Sequence, residues 1–352
     1  MDNHTPVFCT IVPPHILDRL ARSDDPALSG PARRTLQADA AQRTGRRLTT
    51  VAGAAARTAA APAAGPRRTL HDARNGTDLP GVVVRREGEE PVADASVNRA
   101  YAGLGATFEL LLDAYGRNSV DGRGLPLDAT VHYDEKYGNA FWNGEQMVFG
   151  DGDGEIFLDF TVSVDVIAHE LAHGLTQYTA NLSYFGQPGA LNESVSDVVG
   201  SLVRQRTLGQ TADEADWLIG AGLLAPRVTG TALRSLKAPG TAYDDDVLGK
   251  DPQPATMADY VRTGRDNGGV HINSGIPNHA FYLLATRLGG RSWERAGQIW
   301  FDVLTGGDLP VDADFASFAR LTVAAAAERY GEGEEHDAVL KAWSQVGVDT
   351  RA

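Results

Sequence analysis

The chain contains little cysteine and no long hydrophobic run. Its 352 residues include one cysteine, Cys9, which excludes a disulfide within the chain and says little about the redox compartment. No stretch approaches the about 18 consecutive apolar residues of a transmembrane helix, so we expect no membrane span. No lysine or arginine precedes Arg19, and Pro13-Pro14 interrupts the short apolar stretch near the start, so we expect no secretory signal peptide.

Basic charge is scarce beyond the first 70 residues. Residues 1–70 contain ten arginines and five aspartates, a net charge of +5, whereas the remainder contains 22 basic and 41 acidic residues, a net charge of −19. A polyanionic body repels phosphate, so nucleic acid is not an expected partner. The basic leader could be attracted to the acidic body of its own chain, or it could be a solvated tail without a partner.

Composition divides the chain into three sections. Residues 1–68 combine an apolar segment around Pro13-Pro14 with a stretch rich in Ala and Arg from residue 43 onward, which predicts a flexible linker open to proteolysis. Residues 69–180 contain short β-type runs and end in a helical pattern, and residues 181–352 have apolar residues at three- and four-residue intervals. We therefore predict an α+β fold with two lobes behind the leader, the first rich in strands and the second mainly helical.

The strongest chemical signal is the segment His169-Glu170-Leu171-Ala172-His173. Positions i and i+4 of a helix lie on one face, so both imidazoles can reach one metal ion, and Glu170 lies beside that ion where it can hold a bound water. Two histidines and a glutamate on an exposed helix face are the structural alternative.

A second helical pattern contains Glu193 and, one turn later, Asp197. Glu193 would complete a set of two nitrogens and one carboxylate with an open fourth position, as catalytic zinc sites have, whereas structural zinc is usually closed by four protein ligands. Asp197 can accept the free ring proton of a ligand histidine and fix its tautomer. The two patterns together favour a metal site over an exposed helix face.

Over about residues 69 to 349 the sequence resembles the thermolysin-like neutral metallopeptidases. The matching segments are the two helical motifs above, residues 139–144, residues 266–276 and the tail at residues 342–348. The leader, with its apolar Pro-Pro motif, is similar to the short leaders of the protealysin-like subgroup. The resemblance implies a two-lobed fold with the active-site helix between the lobes. It also implies a zinc-dependent endopeptidase made as a precursor.

The resemblance also implies residue roles for the chemistry. His169, His173 and Glu193 would bind one zinc ion, which lowers the pKa of a bound water, and Glu170 would take the proton of that water as general base. Tyr184 and His271 would donate hydrogen bonds to the oxyanion. Asp266 would orient His271 and stabilise its charge. The alternatives are a structural histidine at position 271 and a core or surface tyrosine at position 184.

Substrate binding is implied in the same way. Asn139 and Ala140 would hold the substrate main chain by strand-like pairing, and Arg234 would hold the carbonyl on the leaving-group side. Four apolar residues would form the pocket for the residue after the scissile bond, although the residues alone are equally compatible with core packing: Phe157, Val166, Ile219 and Leu233.

One departure from the family pattern concerns calcium. Relatives with a double calcium site use carboxylates where this chain has Arg204, Ala221 and Gly222, and none of these side chains can ligate a cation. Asp165 remains, but one carboxylate is insufficient. We therefore expect no calcium at that site and interpret Arg204 as a replacement for the lost positive charge.

We expect the leader to be an intramolecular inhibitor. Its Pro13-Pro14-His15-Ile16-Leu17 segment is predicted to occupy the primed side of the cleft in extended form, with Ile16 or Leu17 in the apolar pocket. Cys9 is interpreted as a small buried hydrophobe, with zinc ligation by its thiolate as the alternative.

Other functions stay open from the residues alone. The rivals are a binding protein that never matures, which would not need Glu170, and a zinc hydrolase of non-peptide substrates, which Asn139-Ala140 and Arg234 disfavour. We expect protein or peptide substrates and a monomer. The resemblance implies secretion, while the lack of a visible signal peptide leaves a cytoplasmic location or a non-classical export route as the alternative.

Overall fold

The computed structural model of the protein describes residues 9–52 and 65–350. Its strands are β1 (Cys9–Thr10), β2 (Arg68–Asp72), β3 (Val82–Arg86), β4 (Leu127–Val131), β5 (Ala140–Trp142), β6 (Met147–Phe149), β7 (Leu218–Ile219), β8 (Arg234–Ser235), β9 (Asp244–Asp245) and β10 (Gly249–Lys250). Its α-helices are α1 (Pro14–Leu20), α2 (Pro26–Ala52), α3 (Ala95–Tyr115), α4 (Val164–Gln177), α5 (Gly186–Leu208), α6 (Asp266–Asn273), α7 (Gly275–Leu288), α8 (Ala296–Thr305), α9 (Phe315–Tyr330) and α10 (Glu334–Gln345).

A mixed six-stranded sheet organises the first lobe, in the order β1-β5-β6-β4-β2-β3. The pairs β2–β4 and β4–β6 are parallel, and the pairs β1–β5, β5–β6 and β2–β3 are antiparallel. Strand β1 comes from the leader and forms one edge of the sheet. The leader therefore completes the sheet of the body instead of folding apart from it.

Helix α3 interrupts the strand-rich section and packs against β2 and β4. Asp94 caps its N-terminus by accepting hydrogen bonds from the backbone N–H groups of Ser96 and Val97. Gly116 ends it in the left-handed conformation, with φ at +65°, which glycine adopts without steric cost. These two local signals determine where α3 begins and ends.

Helix α4 lies between the two lobes. It packs against β5, β6 and α3 on one side and most extensively against α5 on the other. Every residue from Asp165 to Gln177 is buried, including its polar ones. A helix without a solvated face must bury its polar side chains against partners, and this places the two histidines of α4 inside the molecule.

The second lobe consists mainly of α5 to α10, with Trp300 stacked on Trp343 at its centre. This arrangement confirms the predicted α+β fold with a β-rich first lobe and a helical second lobe. No helix in the described part of the chain is long and apolar enough to cross a membrane. The predicted boundaries after residues 68 and 180 stay predictions.

Candidate active site

Helix α4 presents two histidines to one point. Nε2 of His169 lies 3.1 Å from Nε2 of His173, and both residues are buried. The far nitrogen of each ring has its own partner, since Nδ1 of His169 lies 2.8 Å from Oδ1 of Asp197 and Nδ1 of His173 lies 2.8 Å from Oδ1 of Asn192. Donation from each Nδ1 leaves each Nε2 free to bind a metal. The structure thus brings Asp197 to the predicted place and adds Asn192, which sequence reasoning missed although it directly precedes Glu193.

Glu193 of α5 faces both rings. Its two carboxylate oxygens lie 3.6 Å from Nε2 of His169 and 3.6 Å from Nε2 of His173. Burial alone would raise the pKa of Glu193, but the neighbouring His271, His173 and His169 hold it at about 2, so the group is a carboxylate. Its Oε2 receives no hydrogen bond from the described residues, although it is buried. Two imidazole nitrogens and an unsatisfied buried carboxylate form the donor set that zinc prefers.

Cys9 of the leader joins this group. Together, Cys9, His169, His173 and Glu193 offer four ligand atoms within 4.8 Å of one another. The Cys9 thiol donates to Oε1 of Glu193 at 2.6 Å and lies 2.7 Å from the Tyr184 hydroxyl. The interpretation of Cys9 as a small hydrophobe is therefore wrong. It is buried, but its sulfur faces a carboxylate and two imidazoles and not an apolar pocket.

Glu170 lies beside the ligand group with one oxygen unsatisfied. Its Oε2 accepts a hydrogen bond of 3.0 Å from the backbone N–H of Trp142, while Oε1 has no hydrogen-bond partner among the described residues. Burial and the charge of Glu193 raise the pKa of Glu170 well above its ordinary value. A fixed carboxylate with a free oxygen beside a metal site can accept a proton from a water placed between them.

His271, Asp266 and Tyr184 form a second group of side chains beside the ligands. Nδ1 of His271 lies 2.6 Å from Oδ1 of Asp266, and its Nε2 lies 3.4 Å from the Tyr184 hydroxyl. Tyr184 also donates to Glu193. Burial alone would lower the pKa of His271, but Glu193 and Asp266 raise it to about 9, so this ring is a cationic donor at neutral pH.

The leader main chain occupies the edge of the sheet beside these groups. The backbone N–H of Ile11 donates to the oxygen of Ala140 at 3.2 Å, and that of Val12 donates to Oδ1 of Asn139 at 3.0 Å. Nη1 of Arg234 donates to the Ile11 oxygen at 2.9 Å. The three residues predicted to hold an extended peptide therefore hold Ile11 and Val12 of the leader.

This corrects the predicted location of the plug. Pro14, His15, Ile16 and Leu17 belong to helix α1, so they are not extended, and the residues paired with β5 lie upstream of Pro13. Proline at the first helical position starts a helix readily because its missing N–H is unneeded there. Nε2 of His15 lies 2.8 Å from the Tyr243 hydroxyl, and the side chains of Ile16 and Leu17 are buried.

The four predicted pocket residues are all buried. They belong to one hydrophobic cluster that also contains leader residues, among them Ile11. Ile219 pairs with Arg234 across β7 and β8. This pairing places one wall of the predicted pocket beside the guanidinium that holds the Ile11 carbonyl. The predicted pocket residues are Phe157, Val166, Ile219 and Leu233.

Sequence reasoning missed Asp39, which supports Asn139 from behind. Asp39 lies on α2 of the leader and is buried; it accepts a hydrogen bond from the Tyr137 hydroxyl and, at 3.3 Å, from Nδ2 of Asn139. Nδ2 of Asn139 is thereby turned away from the cleft, so that its Oδ1 faces Val12. No local pattern around Asp39 signals this contact, because it depends on how α2 docks.

Comparisons with known proteins agree with this geometry. A family model described as thermolysin metallopeptidase, catalytic domain, matches residues 69–177, and one described as thermolysin metallopeptidase, alpha-helical domain, matches residues 180–348. An extracellular metalloprotease of Pectobacterium carotovorum subsp. carotovorum is 56% identical over 290 residues, which cover 82% of this chain and 83% of that protein. Protease PrtS of Photorhabdus sp. (strain Az29) is 52% identical over 286 residues, which cover 81% and 77% of the two chains.

One solved structure is similar over leader and body alike. It is described as the precursor of protealysin, a metalloproteinase from Serratia proteamaculans. It superposes with a TM-score of 0.88 and 52% identity, covering 97% of this chain and 100% of that one.

Proposed function

Because the chain belongs to the thermolysin family of metallopeptidases, we propose that it is a zinc endopeptidase held latent by its own leader. The observation that carries the proposal is the position of leader residues 9–12. They lie on the peptide-binding edge strand, with a thiol among the metal donors. A binding protein would have no need of the free Glu170 oxygen beside these donors, and a hydrolase of small non-peptide substrates would have no need of a strand-pairing edge.

We propose that His169, His173 and Glu193 hold one zinc ion. When bound, zinc supplies Lewis-acid chemistry that makes water acidic and polarises the substrate carbonyl. Glu170 accepts the proton of the attacking water and delivers it to the leaving nitrogen. His271 and Tyr184 donate hydrogen bonds to the oxygen of the attacked carbonyl, and Asp266 holds the His271 ring in place.

We propose that substrates bind in extended form. Asn139 and Ala140 pair with the main chain, which tolerates varied sequences, and Arg234 fixes the carbonyl that follows the scissile bond. The buried apolar residues around Arg234 favour a large apolar side chain at that following position. This preference is the expected basis of specificity.

Latency follows from competition for the same groups. In the precursor, leader residues occupy Ala140, Asn139 and Arg234, and Cys9 supplies a fourth donor where the open position of a catalytic zinc would be. Cutting the linker removes the covalent tether that keeps the leader at high local concentration, so activation requires proteolysis between the leader and the body.

We further propose that the chain binds no calcium beside α4, that it acts as a monomer and that it is secreted. The absence of calcium is supported by Arg204, whose guanidinium pairs with the carboxylates of Asp165 and Asp216. Secretion is supported by relatives named extracellular metalloproteases.

The test uses the zinc-loaded full-length precursor. We expect no casein hydrolysis until limited trypsin treatment nicks the Arg-containing linker, and hydrolysis sensitive to a zinc chelator after the trypsin has been inhibited. The Glu170→Gln precursor, nicked in the same way, is the matched control for residual trypsin. A nicked, zinc-loaded wild-type protein that leaves casein intact would favour the binding-protein alternative.

A further inference from the structure

We propose that the leader is a substrate held short of cleavage: the enzyme hydrolyses its own Thr10–Ile11 bond once the Cys9 thiol no longer occupies the metal site. The inference rests on the proposed function. It adds a second, self-directed reaction, distinct from the linker cut that releases the leader.

The direction and register of the leader support the proposal. Strand β1 runs antiparallel to β5, with Thr10 opposite Phe141. The next two backbone N–H groups, those of Ile11 and Val12, donate to Ala140 and Asn139. These are the contacts proposed for the substrate main chain, so the leader lies in the cleft as an extended substrate would lie.

The two carbonyls of this segment identify the bond. Nε2 of His271 donates to the Thr10 oxygen at 3.0 Å, and Nη1 of Arg234 donates to the Ile11 oxygen at 2.9 Å. His271 is the donor proposed for the attacked carbonyl, and Arg234 is the donor proposed for the carbonyl of the residue that follows. The Thr10 carbonyl is therefore the one to be attacked, and Ile11, whose side chain is fully buried, takes the apolar position on the leaving side.

The Cys9 thiol explains why this bond survives in the precursor. Its sulfur lies 2.6 Å from Oε1 of Glu193 and 2.7 Å from the Tyr184 hydroxyl, among the metal donors. A water held by a bound metal for attack would also have to lie among these donors, beside Glu170, so the thiol would compete for its place. The thiol thus excludes the reactant and engages one of the two donors meant for the carbonyl oxygen.

The reaction itself is an ordinary hydrolysis. The oxygen of a water molecule bonds to the Thr10 carbonyl carbon, and the carbon–nitrogen bond to Ile11 breaks. Glu170 carries both protons of the water in turn to the Ile11 nitrogen, and the products are a Thr10 carboxylate and an Ile11 ammonium group. The cut separates Cys9 from helices α1 and α2, so the docked helices lose the thiol and the leader can no longer rebind as an inhibitor.

The test compares four zinc-loaded full-length precursors by intact mass and N-terminal sequencing over time. We expect Cys9→Ala to release residues 1–10 and to begin at Ile11, at a rate at least about 100-fold above that of wild type. The matched control Cys9→Ala with Glu170→Gln should stay uncut, because loss of a general base typically costs about 100-fold or more. Cys9→Ala with Ile11→Asp should lose this cut, because a carboxylate would enter an apolar site.

If the Cys9→Ala precursor does not fold, a peptide measurement tests the same cleavage. A synthetic peptide of residues 5–20 is added to linker-nicked enzyme freed of its leader. With Cys9 present it should inhibit, and with Cys9→Ala it should be cut at Thr10–Ile11 alone.

The inference and the proposed function fail in distinguishable ways. If the nicked wild type hydrolyses casein while Thr10–Ile11 stays intact in both the folded Cys9→Ala precursor and the peptide, the self-cleavage is wrong and the peptidase assignment stands. If the nicked wild type is inactive on casein, both are overturned.

Discussion

Nη2 of Arg204 lies 2.7 Å from Oδ2 of Asp216, and Nη1 of the same guanidinium lies 3.4 Å from the buried carboxylate of Asp165. Asp165 also accepts hydrogen bonds from the Ser163 hydroxyl and, at 3.2 Å, from the backbone N–H of Gly220. One guanidinium thus pairs with two carboxylates at the N-terminal end of helix α4. The replacement of a lost positive charge by Arg204 stays an interpretation, and sequence reasoning missed Asp216, which follows α5 and reaches Arg204 only through the fold.

The first prediction concerns calcium. Because the guanidinium already pairs with both carboxylates, a calcium ion would have to displace it, so we expect the melting temperature to be unchanged by millimolar calcium or by a calcium-selective chelator. A ligand that binds only the native state raises its stability by mass action. Differential scanning fluorimetry measures the melting temperature. A rise of several degrees on adding calcium would reveal a site that the Arg204 pairing does not exclude.

The second prediction concerns the same arginine. Arg204→Ala should lower the free energy of unfolding by about 1–3 kcal/mol, because it leaves the buried Asp165 with fewer partners. Arg206→Ala is the matched control, two residues further along α5, where the arginine pairs with the exposed Asp113 at 2.6 Å. A surface pair of that kind contributes about 0–1 kcal/mol. Equal effects of the two variants in urea unfolding would show that Arg204 is not a structural cation.

The third prediction concerns Glu170. Glu170→Gln in nicked enzyme should keep zinc, because the three ligands are untouched, and should lose at least about 100-fold in peptidase rate, because the base is gone. Zinc content by atomic absorption and casein hydrolysis check both parts. Glu145→Gln, an exposed carboxylate in the turn between β5 and β6, is the control and should change neither. Retention of more than about a tenth of the wild-type rate by Glu170→Gln would sink the assignment.

The sequence could predict the groups whose spacing lies within one helix or one continuous motif. His169 and His173 are four residues apart on α4, and Glu193 and Asp197 are four residues apart on α5. Helical geometry alone therefore places the two members of each pair on the same helix face. The fold class followed from the change of periodicity near α4.

The sequence could not predict contacts that depend on docking of the leader. The place of Cys9 among the donors depends on β1 pairing with β5 in one particular register, and a shift of one residue would turn its side chain to the other face. The same register decides that Ile11, and not Ile16 or Leu17, faces Arg234. Pro14 was expected to lie in an extended segment, but it is the first residue of helix α1. Proline is common both in extended segments and at the first position of a helix, so the residue type alone does not decide between them.

The fourth prediction concerns a half-buried histidine that bridges two aspartates outside the active site. His132 lies between Asp151 and Asp94, with a ring nitrogen 2.7 Å from a carboxylate oxygen of each. The hydrogen bond with Asp151 has the largest effect on the pKa of His132. Together with the hydrogen bond to Asp94 it raises that pKa to about 9, although burial opposes the rise. A raised histidine pKa stabilises the native state fully below the ordinary value of 6.5, and the gain is lost as pH rises through 9.

We therefore expect the stability difference between wild type and His132→Asn to shrink by about 1 kcal/mol between pH 6 and pH 10, after allowance for solvent screening. Asparagine suits the left-handed backbone at this position, where φ is +54°. His336→Asn on α10 is the control. Urea unfolding at several pH values measures the difference, and a difference independent of pH would contradict the bridge.

The last prediction concerns the pH dependence of leader docking. Burial raises the pKa of Asp39 from 3.8 to about 6, against the opposing hydrogen bonds of Tyr137 and Asn139 and the nearby charge of Arg43. Between pH 3.8 and about 6 the docked leader therefore holds a proton that the free leader has released, so docking weakens as pH rises through this range and is weakest above it. His15 acts in the opposite sense, because burial lowers its pKa from 6.5 to about 4, so acid favours the free leader there.

A comparison with Asp39→Asn isolates the aspartate, because His15 is common to both proteins. In the Glu170→Gln background, nicked in the linker so that the leader is held without a covalent bond, leader dissociation is measured by size-exclusion chromatography after dilution at pH 5 and pH 8. The asparagine keeps an acceptor for Tyr137 and cannot ionise, so the ratio of wild-type to Asp39→Asn dissociation constants should be larger at pH 8 than at pH 5. Asp24→Asn, an exposed leader residue, should leave the wild-type pH dependence unchanged. A ratio that is the same at both values would mean that Asp39 docks without changing its protonation.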